Sequence, residues 1–512
     1  MRISRRLLAA VVLLASGCTK TDIVYRDRPP FNPAPDLASG LLGYFDIASK
    51  QTTCGNCHVG HQARWATTKH AQAWKTLADR NAPASCSGCH TVNERGNKLK
   101  GVVGYDAAGH DSAYHDVQCE SCHGPGTQHV QAPEDRSKWP LPRVSMTIPD
   151  ASCAACHSGE HTPFAEEWAA SKHSQVVTSP AGNASCVACH EGRGTLKAWG
   201  VTSTNFVERD STAPFLPTTC SVCHDPHGST NTAMLRFPID TPDPDRNLCT
   251  KCHLRRGEPE PARSTPHGVA GFVVLGLGGY RPNGVSIDTL ITLTTHASVA
   301  NPRLCAGCHV NKYTTTDAIT GQLQLTTTGH LFKPIPCIDA QGKPTADNSC
   351  AYSPPTRSFK SCVAAGCHAT EAIAAGRLAG ARSDIEFLAA QIWLDNNHNQ
   401  VIDAAPTDGG YLAIIRRDRP TELSSTTVIN PARGAEFNVR TFGESRDAHG
   451  DGSFGVHNPF LARALLAANI NELKTYYGLP APPAAVQTGV AKALEAARLR
   501  QPSFFQKTGS LK

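Results

Sequence analysis

The chain carries a cysteine pattern that recurs at a near-constant interval. Eight copies read C-x-x-C-H: Cys54/Cys57/His58, Cys86/Cys89/His90, Cys119/Cys122/His123, Cys153/Cys156/His157, Cys186/Cys189/His190, Cys220/Cys223/His224, Cys249/Cys252/His253 and Cys305/Cys308/His309. A ninth is stretched, Cys362-VAAG-Cys367-His368. Tetrahedral zinc would need these pairs to share ligands in twos and gives no reason for a histidine after every second cysteine. A disulfide framework fails because the paired cysteines are too close and too regular. Two thiols followed by histidine suit covalent attachment of a haem, with the histidine as an axial ligand to iron. Of 21 cysteines, nine motifs use 18; Cys18 lies in the leader, and Cys337 and Cys350 remain. Those two flank the loop CIDAQGKPTADNSC, where a disulfide is expected in an oxidising compartment.

Residues 1–17 read as an export signal, with Arg2, Arg5 and Arg6 ahead of the short apolar run Leu7–Leu14. That run is too short for a permanent membrane helix. The segment ends in L-A-S-G-C, which resembles a bacterial lipobox, with Ala15 where Leu is commoner. The resemblance implies lipidation at Cys18 and, with Thr19 following, an outer-membrane location on the periplasmic or extracellular face. A plain secreted protein with a nearby cleavage site is the alternative. The formal charge of +6 loses three arginines with the leader and becomes +3. Nine ferric haems at about −1 each bring it to −6, and full reduction to −15. An anionic protein is not expected to bind nucleic acid or an acidic surface.

The first cysteines of motifs one to six are 32, 33, 34, 33 and 34 residues apart, followed by 29 to Cys249 and then 56 and 57. A fixed period of this size signals locally packed units stacked along the chain. The expected organisation is a signal peptide (1–17), an extended tether (18–50), a seven-haem repeat region (51–270), a two-haem region (271–370) and a C-terminal helical region (371–512). The tether includes YRDRPPFNPAPD (25–36), and the two-haem region has β-prone runs GFVVLGLG (271–278) and TLITLTT (289–295). Helices are expected at Ala63–Asp79, Phe164–Ser174, Glu371–Trp393, Pro459–Tyr477 and Pro482–Arg498. Aromatic residues make up only 6% of the chain, and Gly and Pro together number 78. Such a chain is poor material for a conventional core, so the haems are expected to supply it. The fold class is mainly α and irregular, elongated, with minor β at 270–330.

Nine proximal histidines leave 14 others, and only three methionines are present (Met1, Met146, Met234), so a second histidine is the expected sixth ligand. The segments R-W-A-T-T-K-His70-A and E-E-W-A-A-S-K-His173-S resemble the W-x-x-S-x-H-A segments of multihaem c-type cytochromes. C-E-S-C-H-G-P-G-T-Q-His129, C-S-V-C-H-D-P-His227-G and T-P-His267-G are similar to further elements of those families. So are T-T-His296, T-G-His330 and G-V-His457-N-P-F-L-A-R-A-L-L, and His161 in C-H-S-G-E-H-T-P-F completes a set of nine. The resemblance covers roughly residues 50–460, through motifs. The first seven haems resemble decahaem cytochromes of outer-membrane electron conduits, and the last third resembles long multihaem lipoproteins of metal-respiring bacteria. It implies that these nine histidines are distal ligands. His61, His110 and His115 lack a matching context, and His398 and His449 read as non-ligands.

Asp395-N-Asn397-H-Asn399-Q-V-I-Asp403 places oxygen ligands at alternate positions, as at the start of a calcium loop, with Asp408 to close it. Gln400 stands where Gly is expected and Pro406 where Glu is, so a polar Asn-rich turn is the alternative.

Nine haems with two histidines each predict multi-step electron transfer in the cell envelope, not an enzyme. The expected partners are other redox proteins, an outer-membrane porin, the membrane through the lipid anchor, or further copies in a filament. The rival is a multihaem reductase of a small nitrogen or sulfur oxyanion, which would keep one iron open. No C-x-x-C-K is present to mark one.

Overall fold

A computed structural model describes residues 34–499, apart from residue 98 and the stretches 141–151, 160–161, 202–214, 242, 284–294, 298–300, 317–322, 365–366, 425–426 and 444–449. The expected leader and Cys18 therefore lie outside the described residues, as do His161, His449 and all of 289–295 but its last residue. The architecture is mainly helical and irregular, as expected, with two small two-stranded antiparallel sheets.

Through the repeat region the helices are short: single turns at several motifs, such as Cys119–His123 and Val187–His190, and slightly longer pieces between them. The helix expected at Ala63–Asp79 is broken into Val59–Trp65, His70–Gln72 and Ala73–Asp79, and that at Phe164–Ser174 into Phe164–Ala169 and Lys172–Ser174. Between them the chain is held by side-chain anchors. Ahead of the third motif, the Trp65 indole donates to the Val117 carbonyl at 2.9 Å, while the Val117 amide donates to the His70 carbonyl at 3.1 Å. Three motifs later the device recurs: Trp168 donates to the Thr218 carbonyl at 2.8 Å, and Thr218 N–H to the His173 carbonyl at 3.1 Å. The structural unit of the periodicity is thus a group of three motifs.

The tether expected at 18–50 does not extend that far. Residues 34–50 pack on the second and third motif segments, with Leu41 and Leu42 buried. Tyr114 donates its hydroxyl to the Leu41 carbonyl at 2.9 Å, and the buried Glu120 carboxylate accepts Leu42 N–H, Gly43 N–H and Gly126 N–H at 2.7–2.9 Å. Burial pushes the Glu120 carboxyl up to about 7. The Pro-rich composition reads as a free linker, but donors for one buried carboxyl group fix it in place.

GFVVLGLG forms no strand: it opens in the helix Ala270–Val274, with Val269 and Val273 on one buried face. Minor β does occur within 270–330, at Thr314–Thr316 paired with Leu323–Thr326.

The C-terminal third is different in kind. Five helices, α1 (Glu371–Ile392), α2 (Gly410–Asp418), α3 (Pro431–Phe442), α4 (Pro459–Tyr477) and α5 (Ala484–Leu499), enclose one continuous apolar core. Their starts follow from local chemistry. Thr370 caps α1 through Ile373 N–H; Asn430 and Asn458 cap α3 and α4, each followed by Pro at the first helical position. Gly478, left-handed at φ 65°, ends α4. The core includes Trp393, Ile385, Leu412, Leu461 and Leu465, all essentially inaccessible. Its link to the haem-motif region is apolar through Val269 and Val273 and polar beside them: buried Asn438 accepts Tyr280 N–H at 2.7 Å and donates to Asn469 at 2.6 Å. Gly279 sits at φ 97° where a Cβ would lie 2.4 Å from Leu465, so only glycine fits.

Candidate haem sites

A short helical turn at most motifs, and a run of non-helical turns at residues 153–157, places the two thiols and the histidine around one position. The structure brings a second histidine opposite eight of the nine. Ring-centroid separations are His58–His129 6.2 Å, His123–His227 6.1 Å, His157–His70 6.1 Å and His190–His267 6.0 Å. The others are His224–His330 6.2 Å, His253–His173 6.2 Å, His309–His457 6.0 Å and His368–His296 6.4 Å. An imidazole nitrogen sits about 2 Å from a metal it ligates. With the ring radius added on each side, two imidazoles on one iron have centroids about 6 Å apart. Eight pairs at 6.0–6.4 Å match that span. The remaining motif histidine, His90, pairs with none of the other eight expected distal residues; His161 is outside the described residues.

The cavity fits the group as well. One connected space of about 4700 Å³ is lined by all nine motif histidines and by His70, His129, His173, His227, His267, His296, His330 and His457. A ninth of it is about 520 Å³, inside the about 300–1,000 Å³ of a site for one compact organic ligand. The 18 motif cysteines are free of disulfides, whereas Cys337 and Cys350 are bonded as expected.

Burial holds His70, His173, His227, His309 and His330 down at about 4, so each is a neutral imidazole, the form that ligates iron. Several ring orientations are fixed by Nδ1–H donating to backbone carbonyls: His90 to Ala73, His224 to Ala233, His309 to Phe332 and His296 to Val456, at 2.7–2.9 Å. His330 is aimed from outside its own loop. The Glu167 carboxylate, on the helix after the fourth motif, accepts His330 N–H, Thr328 N–H and the Thr328 hydroxyl at 2.7–2.8 Å.

The three histidines without a matching context each lie beside another ring. His115 stacks on Trp74 at 3.8 Å and His110 on Tyr105 at 4.8 Å. His61 lies 4.5 Å from the His227 ring, with Arg64 at 3.0 Å from its Nδ1. His61 also stands 6.2 Å from His58, the same separation as His129, so His58 has two histidines within that span and its iron-facing partner is assigned to His129 by its motif context.

Thiols of different motifs also approach one another. Hydrogen-bonding reach joins Cys54 to Cys119, Cys89 to Cys156, Cys153 to Cys220, Cys189 to Cys252 and Cys249 to Cys305. Cys122 lies near enough to Cys153, Cys223 to Cys252 and Cys362 to Cys308 for like charge to push the second thiol of each pair upward. By motif number the neighbours are 1–3, 3–4, 2–4, 4–6, 6–7, 5–7, 7–8 and 8–9.

At the calcium-loop candidate, Asn397 and Asn399 both donate side-chain N–H to the Asp403 carboxylate, at 2.9 and 2.8 Å. Asp395 accepts Asn399 N–H and Gln400 N–H, and Asp408 accepts the Trp393 indole N–H at 2.8 Å. Among the described residues, no three His, Cys, Asp or Glu are grouped to hold a metal ion. Among the described residues, no helix is long and apolar enough to cross a membrane.

No curated protein and no solved structure matches the chain significantly. Two family descriptions do match parts of it: cytochrome c554 and c-prime over residues 53–124, and the doubled CXXCH motif over 213–258. Both fall on motif-bearing segments, and with the repeats around them they support a multihaem c-type cytochrome that holds haem c covalently and transfers electrons.

Proposed function

We propose that the chain is a nonahaem electron-transfer protein of the cell envelope, anchored through Cys18 at the outer membrane and serving extracellular or anaerobic respiration. The observation that carries the electron-transfer reading is the eight facing histidine pairs, which leave no coordination position for a substrate at those irons. Haem c supplies one-electron chemistry when bound, and the chain's part is spacing and tuning. Cys86, Cys89 and His90 hold the second haem, with His161 the candidate left for its distal side. Cys362, Cys367 and His368 hold the ninth, with His296. The thiol contacts support a main series through motifs 1, 3, 4, 6, 7, 8 and 9, with motif 2 branching at 4 and motif 5 at 7. A branched series suits a protein that takes electrons from, or gives them to, redox partners or a porin at more than two points. Calcium at Asp395, Asn397, Asn399, Asp403 and Asp408 would stiffen the turn between α1 and α2.

The test is the ferric spectrum of the intact protein. Fully low-spin iron, unperturbed by nitrite or hydroxylamine, is expected, as is a denatured mass carrying nine haems. A high-spin haem with turnover of a small oxyanion would replace this reading with the reductase. Cys18→Ser should release the protein from membranes, because acyl chains supply the burial that holds it there; a wild type that is already soluble would end the anchor proposal.

A further inference from the structure

One distal histidine is held differently from the rest. The Nδ1–H of His457 donates to a carboxylate, Asp451 Oδ1 at 2.6 Å, whereas that of the distal His296, like those of the motif histidines His224 and His309, donates to a neutral carbonyl. The Asp451 side chain is only 2% exposed, and its other oxygen accepts the Ser453 hydroxyl. The backbone fixes it in turn: Asp451 N–H donates to the Thr441 carbonyl at 2.9 Å, and Ser453 Oγ accepts His457 N–H at 3.1 Å. His227 is the nearest comparison. Its Nδ1 stands 3.6 Å from Asp225, and that carboxylate also faces Arg64 and Arg236, each at 3.4 Å.

The same loop serves the neighbouring site with the opposite chemistry. The Val456 carbonyl, one residue before His457, accepts Nδ1–H of His296 at 2.7 Å. His296 faces His368 of the ninth motif, and His457 faces His309 of the eighth. The helical turns Cys305–His309 and Lys360–Val363 of those two motifs pack against each other. Residues 451–457 thus give one site an anionic acceptor and its neighbour a neutral one.

We propose that Asp451 is a positioning residue that holds the eighth haem at a lower potential than the ninth, fixing a downhill direction at this end of the series. A charge-assisted hydrogen bond is about twice as strong as a neutral one and draws the proton of His457 towards Asp451. The imidazole becomes a stronger donor to iron, which favours the ferric state and lowers the potential. Burial strengthens the effect, because little water screens the carboxylate.

This rests on His457 and His309 sharing one iron, which His457→Ala tests separately: a new high-spin haem is expected, its absence would overturn the ligation itself, and a new high-spin haem beside unchanged potentials in Asp451→Asn would overturn the role of Asp451 alone. On the full-length holoprotein, spectroelectrochemical titration of Asp451→Asn should show one midpoint potential moved upward and the others in place, with an altered ferric EPR signal for the same haem. Ser453→Ala, which leaves the carboxylate a stronger acceptor, should move that potential downward, and Asp451→Glu should restore it towards the parent value. If Asp451→Asn loads haem poorly, the Ser453 variant carries the test. Unchanged potentials, or both substitutions shifting the same way, would overturn the proposal.

Discussion

Residues 371–499 and residues 51–270 solve the problem of an interior in opposite ways. The C-terminal helices bury Trp393, Ile385, Leu412 and Leu465 against one another in a single cluster. The repeat region offers only scraps: Leu196, Leu216 and Val222 in one place, and Trp65 and Ala71 against Tyr44 of the preceding segment in another. What lies between those scraps is the large cavity lined by the motif histidines. One region is stable through its own side chains; the other needs a bound apolar group to exclude water. Sparse aromatics therefore do not mean that the whole chain lacks a conventional core, only that the core is concentrated at one end.

The largest break in that comparison comes from withholding haem. Expressed without haem attachment, residues 51–270 should lose their fold, while a fragment covering 371–499 survives limited proteolysis. Equal rates of digestion across both regions would show that the bundle also depends on haem. The reverse cut is Trp393→Ala. Truncating this buried indole costs about 3–5 kcal/mol and also removes one donor to the Asp408 carboxylate, which keeps Asn396 N–H and Asp403 N–H. The helical transition followed by far-ultraviolet circular dichroism should fall steeply, with the haem count by mass unchanged. If the Soret transition falls by the same amount, the two regions unfold as one unit.

A smaller effect sits between them. Cys337–Cys350 closes a loop of sequence separation 13, for which loop-entropy reasoning gives about 3 kcal/mol. Replacing both cysteines by serine should destabilise by that amount or less. Hydrogen exchange should localise the loss to residues 333–359, where Arg357 is buried with its guanidinium on the Ile335, Asn348 and Cys350 carbonyls. A loss spread over the bundle would mean that this loop supports more than itself.

The motifs, the helix starts at Pro459 and Glu371 and the disulfide could be read from sequence because their signals are local. The eight histidines that face motif histidines were also legible one by one, through contexts such as D-P-H-G. Their pairing was not: His70 follows the first motif yet faces the fourth, and His457 reaches back to the eighth from 148 residues away. No periodicity encodes such reach. GFVVLGLG looked β-prone because Val and Phe favour strands, but Val269 and Val273 are one helical turn apart and are claimed by the bundle core. Residues 34–50 looked like a linker because Glu120, which holds them, lies about 80 residues away. Asp451 left a faint signal, an acid six residues before the H-N-P histidine, with nothing local to show that the two side chains meet.

The finest test concerns the three-motif repeat within the haem region itself. Trp65 and Trp168 make equivalent indole bonds to Val117 and Thr218, and those residues in turn donate to the His70 and His173 carbonyls. Each tryptophan thereby steadies a histidine bound for a motif three further on, His157 in one case and His253 in the other. Phenylalanine keeps an aromatic ring but removes the N–H donor and part of the indole's volume, so the buried carbonyl loses a bond worth about 0.5–1.5 kcal/mol and a small cavity adds to the cost. Trp65→Phe and Trp168→Phe should therefore cost similar amounts in chemical denaturation followed at the Soret band. Both indoles are comparably buried, at 6% and 8% exposure, so unequal solvation does not confound the pair. The double variant should show the sum, since the sites share no partner. A large cost at one and none at the other would mean that the repeat is one of backbone shape alone, with the two halves held by different forces.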